Sequence, residues 1–281
     1  MSFVIFSMWA MLCASPAAAS PTWERAYELT RSGSWLSSLA ADGDVWIAAG
    51  KEIVVRGGTK ISTEVVPGKT ILGLSRTSQG VIALGADQLI MRFDGKAWVE
   101  EHFAPAPAKS SSRLRYALVL HSARDLVNSP TAALVAYGPR GVLVRHADGT
   151  WVSPPENERD RLSRLAQLGP EGAAPLHCAP DAWRWLSGAR GWLTCHDGRS
   201  FLREGSAARA TGSLPKPCRT SVDALDERGR DIYLLCDGEL WRSSNEHWAR
   251  VPAPKGLRAL AASDQCLFTA DEKSVWKSCS K

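Results

Sequence analysis

Residues Val81 to Trp98 read Val-Ile-Ala-Leu-Gly-Ala-Asp-Gln-Leu-Ile-Met-Arg-Phe-Asp-Gly-Lys-Ala-Trp. A short apolar run stops at Gly85 to Asp87, where turn-forming residues cluster. A second run follows, ends at Asp94-Gly95, and a third strand opens at Trp98. The same word recurs at Leu134 to Trp151, with Gly138, Arg145 and Trp151 in the places of Gly85, Arg92 and Trp98. Two spaced copies of one strand–turn–strand word point to a repeat architecture.

Weaker copies fill the rest of the chain. Leu36–Leu39, Val45–Ala49, Ile53–Arg56 and Ile61–Val66 form the first set of strands. Ile71–Phe103 is the second copy. Ala104–Ser112, rich in Ala, Pro and Ser, is a linker. The third copy starts at Leu114–Leu120 and resumes at Ala132–Tyr137. Pro155–Leu168 breaks the pattern: Leu162, Leu165 and Leu168 recur at helical spacing between Pro and Gly169-Pro170, which predicts a short inserted helix. Ala182–Arg203, Ser221–Val251 and Leu257–Cys279 are the fourth, fifth and sixth copies.

The last copy stops one strand short. The N-terminal end carries a spare strand, Thr22–Tyr27, which opens with Trp23 as the fourth strands at Trp98 and Trp151 do. A circular array joined by the two ends of the chain accounts for both facts. Six copies average about 44 residues each, the length of a four-stranded propeller blade. The expected fold is therefore all-β: a six-bladed β-propeller, with five or seven blades as alternatives, closed by the N-terminal strand on the last blade. Closure would remove the open sheet edges of a linear array. The domain is expected to span residues 20–281, with the helical insertion near 155–168.

Composition fits this reading. The chain has 281 residues, 44% of them hydrophobic, with 12 Trp, 23 Gly and 16 Pro. Large aromatics suit packing between sheets, and Gly and Pro suit many turns. The net charge of +5 comes from scattered residues, which is no nucleic-acid footprint. Phe3–Leu12, then Pro16 and Ala17-Ala18-Ala19, reads as a signal peptide over residues 1–19, although no Lys or Arg precedes the apolar run. The run falls short of the about 20 apolar residues that span a membrane, so no stable membrane insertion is expected after cleavage. Cys13 lacks the small neighbours of a lipoprotein signal. The expected location is the periplasm or the medium.

Loss of Cys13 leaves an even set: Cys178, Cys195, Cys218, Cys236, Cys266 and Cys279. An exported chain favours disulfides. Cys178 precedes a first strand and Cys195 ends the second; Cys218 and Cys236 hold the matching places one copy later. The start of one antiparallel strand lies beside the end of the next. The expected bridges are 178–195, 218–236 and 266–279. A zinc site from His177, Cys178, Cys195 and His196 is the alternative, but the spacing is not that of a finger, and neither a metal nor another cofactor is expected.

Val45-Trp-Ile-Ala-Ala-Gly50 and Asp94-Gly-Lys-Ala-Trp98 resemble the repeats of bacterial exported propellers of the two-component-regulator and Asp-box types. The resemblance covers most of the mature chain as short degenerate words, and it implies the fold alone. An Asp-box has Ser or Thr two residues before its Asp. Here Arg92 precedes Asp94 and His146 precedes Asp148, which removes a sialidase-like reading. A sensor-kinase reading would need a further domain after the propeller.

Three sets of residues are candidates for chemistry or binding. A basic residue ends the third strand of every copy: Arg56, Arg92, Arg145, Arg203, Arg242 and Lys277. These form either a cation ring for an anionic partner or ordinary solvated strand ends. Trp183 and Trp185 share a strand face and offer an aromatic patch. Asp42 and Asp44, and Asp223, Asp226 and Glu227, are paired carboxylates of the kind glycosidases use, though Asp-Gly-Asp is also plain turn chemistry. His102, His121, His146 and His247 are scattered. No Gly-x-Ser-x-Gly, phosphate-cradling loop or His-Glu-x-x-His is present. The expected function is a non-catalytic scaffold that binds a protein or envelope-polymer partner. A glycan or lactone hydrolase and a carbohydrate-binding module are the alternatives. The oligomeric state is not legible.

Overall fold

A computed structural model describes residues 21–30, 35–57, 60–65, 70–77, 80–85, 89–101, 134–138, 141–146, 148–168, 177–186, 190–204, 207–220 and 222–279. The signal segment, the Ala104–Ser112 linker, the strand expected at Leu114–Leu120, His102 and His121 lie outside these residues.

The described residues form six antiparallel sheets in chain order. β1 (Glu24–Glu28) comes first. The first sheet is β2 (Leu36–Asp42), β3 (Asp44–Ala49), β4 (Glu52–Gly57) and β5 (Lys60–Val65). The second is β6 (Ile71–Thr77), β7 (Gly80–Gly85), β8 (Ile90–Phe93) and β9 (Trp98–Glu100). The third is β10 (Leu134–Gly138), β11 (Gly141–Arg145) and β12 (Trp151–Val152). Helix α1 (Glu156–Leu168) follows, with Leu162 fully buried and the helix against β11 and β13 (Pro180–Trp185). With β13, strands β14 (Arg190–Cys195), β15 (Arg199–Glu204) and β16 (Ala207–Ser213) make the fourth sheet. The fifth is β17 (Ala224–Arg228), β18 (Asp231–Cys236), β19 (Glu239–Ser244) and β20 (His247–Val251). The sixth joins β21 (Ala259–Ala262), β22 (Cys266–Ala270) and β23 (Ser274–Cys279) to β1, in the order β1-β23-β22-β21.

The spare N-terminal strand is thus the fourth strand of the last sheet, with Glu24 opposite Lys277 and Glu28 opposite Ser274. β16 has no counterpart in the sequence reading. Its residues, Ala-Ala-Arg-Ala-Thr-Gly-Ser, lack both the opening Trp and an apolar alternation. The strand is held by its ladder to β15 and by buried Thr211, whose hydroxyl donates to Ser200 Oγ.

The second strands explain the apolar runs. In β3, β7, β14 and β18 every residue after the first is buried. A strand covered on both faces has no reason to alternate. The core accordingly sits in the seams between successive sheets. Trp46, Ile53, Ile71, Leu74 and Val81 pack between the first and second sheets. Trp192, Leu202, Leu214, Ile232 and Leu234 pack between the fourth and fifth. Leu36, Val45, Ile47, Phe268 and Val275 join the sixth to the first.

Three disulfides staple the later sheets. Cys178–Cys195, Cys218–Cys236 and Cys266–Cys279 have Cα separations of 5.5, 5.1 and 4.0 Å. The third joins residues directly opposed across β22 and β23.

Candidate functional site

The first strands of neighbouring sheets stand side by side: β2 touches β6 and β21, and β21 touches β17. Together with β13 they surround a cavity of about 670 Å³. Its lining mixes small side chains such as Ser37, Ser38 and Gly73 with Arg76, Arg184, Arg190 and Arg258 and with Asp223, Asp226, Glu227 and Asp264.

The carboxylates in this cavity are held by the fold. Asp226 accepts the Ala262 N–H at 2.7 Å from the next sheet, and the Glu227 N–H at 2.8 Å. Glu227, buried, pairs with Arg190 of the preceding sheet. Adjacent residues of a strand point to opposite sides, so the two acids serve opposite neighbours. Asp223 accepts the Asp237 N–H at 2.9 Å. Burial pushes the Asp226 carboxyl up to about 7; the two N–H bonds pull the other way and lose. Asp42 does not line the cavity but lies 3.4 Å from Arg76, which does and which also acts on Asp226; Asp44 lines a different cleft.

A second node ties the second sheet to the third. Buried Glu101 accepts Arg92 Nε at 2.9 Å, Arg145 Nη2 at 2.7 Å and Trp151 Nε1 at 2.6 Å. Burial raises this carboxyl, but the bonds from Arg145, Trp151 and Arg92 outweigh it and hold Glu101 below the usual range. Sequence reasoning missed Glu101. Its one signal is its place three residues after a strand-opening Trp, where Glu100 looks equivalent.

Glu101 also bears on the six basic strand ends. Five of the six sit on the third strands of four-stranded sheets, and Arg145 ends β11, the middle of the three strands described in its sheet. Arg92 and Arg145 converge on Glu101. Arg242 lies 3.4 Å from Asp231, and Lys277 lies 2.7 Å from Glu24. Arg203 also has a partner in the fold. The side chain of Arg56 lies outside the description, as do those of Trp183 and Trp185, whose backbone places them on one face of β13.

Cys178 and Cys195 are bonded to each other, so no thiolate pair is left for zinc. His196 lies 3.5 Å from Asp181 instead. Among the described residues no group of three or more His, Cys, Asp or Glu could hold a metal ion. No helix among them is long and apolar enough to cross a membrane.

The Trp residues at the starts of the outer strands have two fates. Trp151 bonds Glu101, and Trp23 donates to the Pro252 carbonyl at 2.6 Å. Trp98 and Trp248 have buried indole nitrogens without an acceptor, as do Trp46 and Trp241. These four lie in two open clefts. One, of about 600 Å³ between the first and second sheets, is walled by Trp46, Phe93 and Trp98. The other, of about 890 Å³ between the fourth and fifth sheets, is walled by Phe201, Trp241 and Trp248.

No family model matches the chain, and no curated protein matches it. Solved structures do match by shape. The extracellular domain of the hybrid two-component system BT4673 from B. thetaiotaomicron superposes with a TM-score of 0.58 at 10% identity, covering 93% of this chain and 43% of that one. This chain therefore spans less than half of that domain. YCF48 from Cyanidioschyzon merolae aligns over 92% of this chain and 98% of its own at 10% identity, with a TM-score of 0.49. PorZ, a surface component of the type-IX secretion system of Porphyromonas gingivalis, covers 89% of this chain and 37% of its own at 12% identity, with a TM-score of 0.44. The likeness to the BT4673 domain concerns fold alone: this chain, whose described strands lie mostly in four-stranded antiparallel sheets, is similar to a propeller-like extracellular domain.

Proposed function

We infer that this protein is an exported, non-catalytic six-bladed β-propeller, closed by β1 on the last blade, that binds a protein or envelope-polymer partner. Its closure is supported by the pairing of β1 with β23 and by five first strands around one cavity. Export is supported by three disulfides and by the signal-like N-terminus. The observation that carries the binding reading is the state of the cavity acids. Asp226, Glu227 and Asp223 each hold a neighbouring group of the fold, whereas a glycosidase holds two carboxyls across one substrate.

The test is capture of the tagged protein at native expression, after mild cross-linking in intact cells. A stoichiometric envelope partner is the expected result. Recovery of a lone monomer overturns the reading. One observation favours a hydrolase as the second reading: a carboxyl with its pKa near 7 inside a cavity is suited to proton transfer. That reading requires glycan or lactone turnover that Asp226→Asn abolishes.

A further inference from the structure

The cleft between the fourth and fifth sheets differs from its counterpart between the first and second in what its aromatic walls leave open. Trp98, at the start of the outer strand of the second sheet, is 7% exposed. Trp248 holds the matching place in the fifth sheet and is only half-buried, as are Trp241 and Phe201. Trp241 and Trp248 pack on the seam core and also line the cleft. Arg199 stands over the Phe201 ring at 5.9 Å, so the two indoles are the open aromatic surface. Pro215 and Pro217 complete the wall, and the adjoining Cys218 is bonded to Cys236, which fixes that wall in place. At about 890 Å³ the cleft has the size of a ligand site.

The polar groups at the cleft come in both kinds. Arg250 lies opposite Trp241 across β19 and β20 and pairs with Glu239 at 2.9 Å. Lys216 and Glu246 add one charge of each sign. Arg199 is engaged within the fold, by Asp197 and the His177 carbonyl. With the remaining charges balanced, neither a polyanion nor a polycation is the complement. Guanidinium and ammonium groups only donate, and carboxylates only accept. Groups that both donate and accept satisfy the two together. A sugar carries such hydroxyls on a ring whose C–H face is apolar. A polyproline segment fits aromatic grooves but has no donor for the carboxylates.

Glu246 sits there against the preference of its turn. Asn245 and Glu246 join β19 to β20 with φ of 50° and 65°, a two-residue turn that favours Asn-Gly. The turns before Trp98 and Trp151 use Gly95 and Gly149 at positive φ. Glycine would cost less here too. A carboxylate is kept at the cleft instead, exposed and without a hydrogen bond or ion pair among the described residues.

We propose that this cleft binds a neutral oligosaccharide, with a ring against Trp241 and Trp248 and its hydroxyls shared among Arg250, Glu239 and Glu246. The inference rests on the binding reading above and selects, of its two partner classes, the envelope polymer.

The test is calorimetric titration of the intact protein with chitohexaose, cellohexaose and maltohexaose. Saturable binding of at least one, with a change in Trp fluorescence, is the expected result. Glu246→Gly gives the turn its preferred residue. Its unfolding midpoint should rise while affinity falls at least about tenfold, the loss of a hydrogen bond to a charged group. Arg250→Ala, at an exposed position, should weaken binding likewise. No binding of any hexasaccharide overturns the proposal. So does affinity unchanged in either variant, or a decaproline peptide that displaces the bound sugar. If the sugars fail while cross-linking still captures a protein partner, this cleft is discarded and the binding reading stands.

Discussion

Glu101 shows how much one side chain holds in this molecule. Its carboxylate joins β8 to β11 and β12 through two guanidinium groups and an indole. Replacing one member of a buried ion pair strands the others. Glu101→Gln is expected to cost about 3 kcal/mol in urea unfolding, while Glu100→Gln, at an exposed position, leaves the midpoint nearly unchanged. The folded pKa of Glu101 is depressed, so its contribution is complete above the ordinary value of 4.5 and is lost as pH falls through the folded value. Asp226 behaves in the opposite sense. Its folded pKa of about 7 lies above the ordinary 3.8, so between these values the folded state holds more protons. Stability must fall as pH rises across that window. Asp226→Asn removes that slope. Matching unfolding series at pH 5 and pH 8 check it, and an unchanged slope contradicts the assignment.

At the scale of elements, the turns and staples are set by local chemistry. Asp94 Oδ1 accepts the Lys96 and Ala97 N–H groups, and Asp271 Oδ1 accepts those of Lys273 and Ser274. These Asp residues are thus turn formers before third-to-fourth and second-to-third strand pairs. Gly85 answers a different need. A Cβ there would stand 2.5 Å from the Thr70 carbonyl and 2.8 Å from Leu89. Gly85→Ala is expected to destabilise by about 1–3 kcal/mol through overpacking, read as a lowered midpoint with an unchanged denaturant slope. Cys218 and Cys236 are both buried and join the entry of the fifth sheet to the end of β18. Replacing both with Ser should cost about 2–4 kcal/mol. Peptide mapping of the unreduced protein should recover each bridge within its own sheet.

At the scale of the whole molecule, the sixth sheet carries both ends of the described chain. β1 covers the edge of β23, and Trp23 closes the next seam through Pro252. A chain that begins after Glu28 leaves β23 as an open edge. Such a variant is expected to aggregate or elute as oligomers in size-exclusion chromatography. A monomeric, equally stable variant would argue that the two ends do not hold the array together.

The strand words, their turns, the helix near Glu156–Leu168, the spare strand at Trp23 and the cysteine pairs were legible in the amino-acid order. Each depends on nearest-neighbour chemistry: an apolar run, a turn residue, a repeat offset. β16 was not legible, because what holds it is tertiary: the ladder to β15 and the burial of Thr211 against Ser200 and Trp192. Glu101 was hidden for a related reason. Nothing local distinguishes it from Glu100; only the approach of Arg145 and Trp151 from the next sheet does. The basic strand ends had two readings in sequence. The tertiary structure set Arg92, Arg145, Arg242 and Lys277 against carboxylates, because neighbouring strands bring those acids within reach. The two fates of the seam Trp residues were likewise decided in three dimensions. An indole needs an acceptor from the adjoining sheet, and the identity of that neighbour is a property of packing.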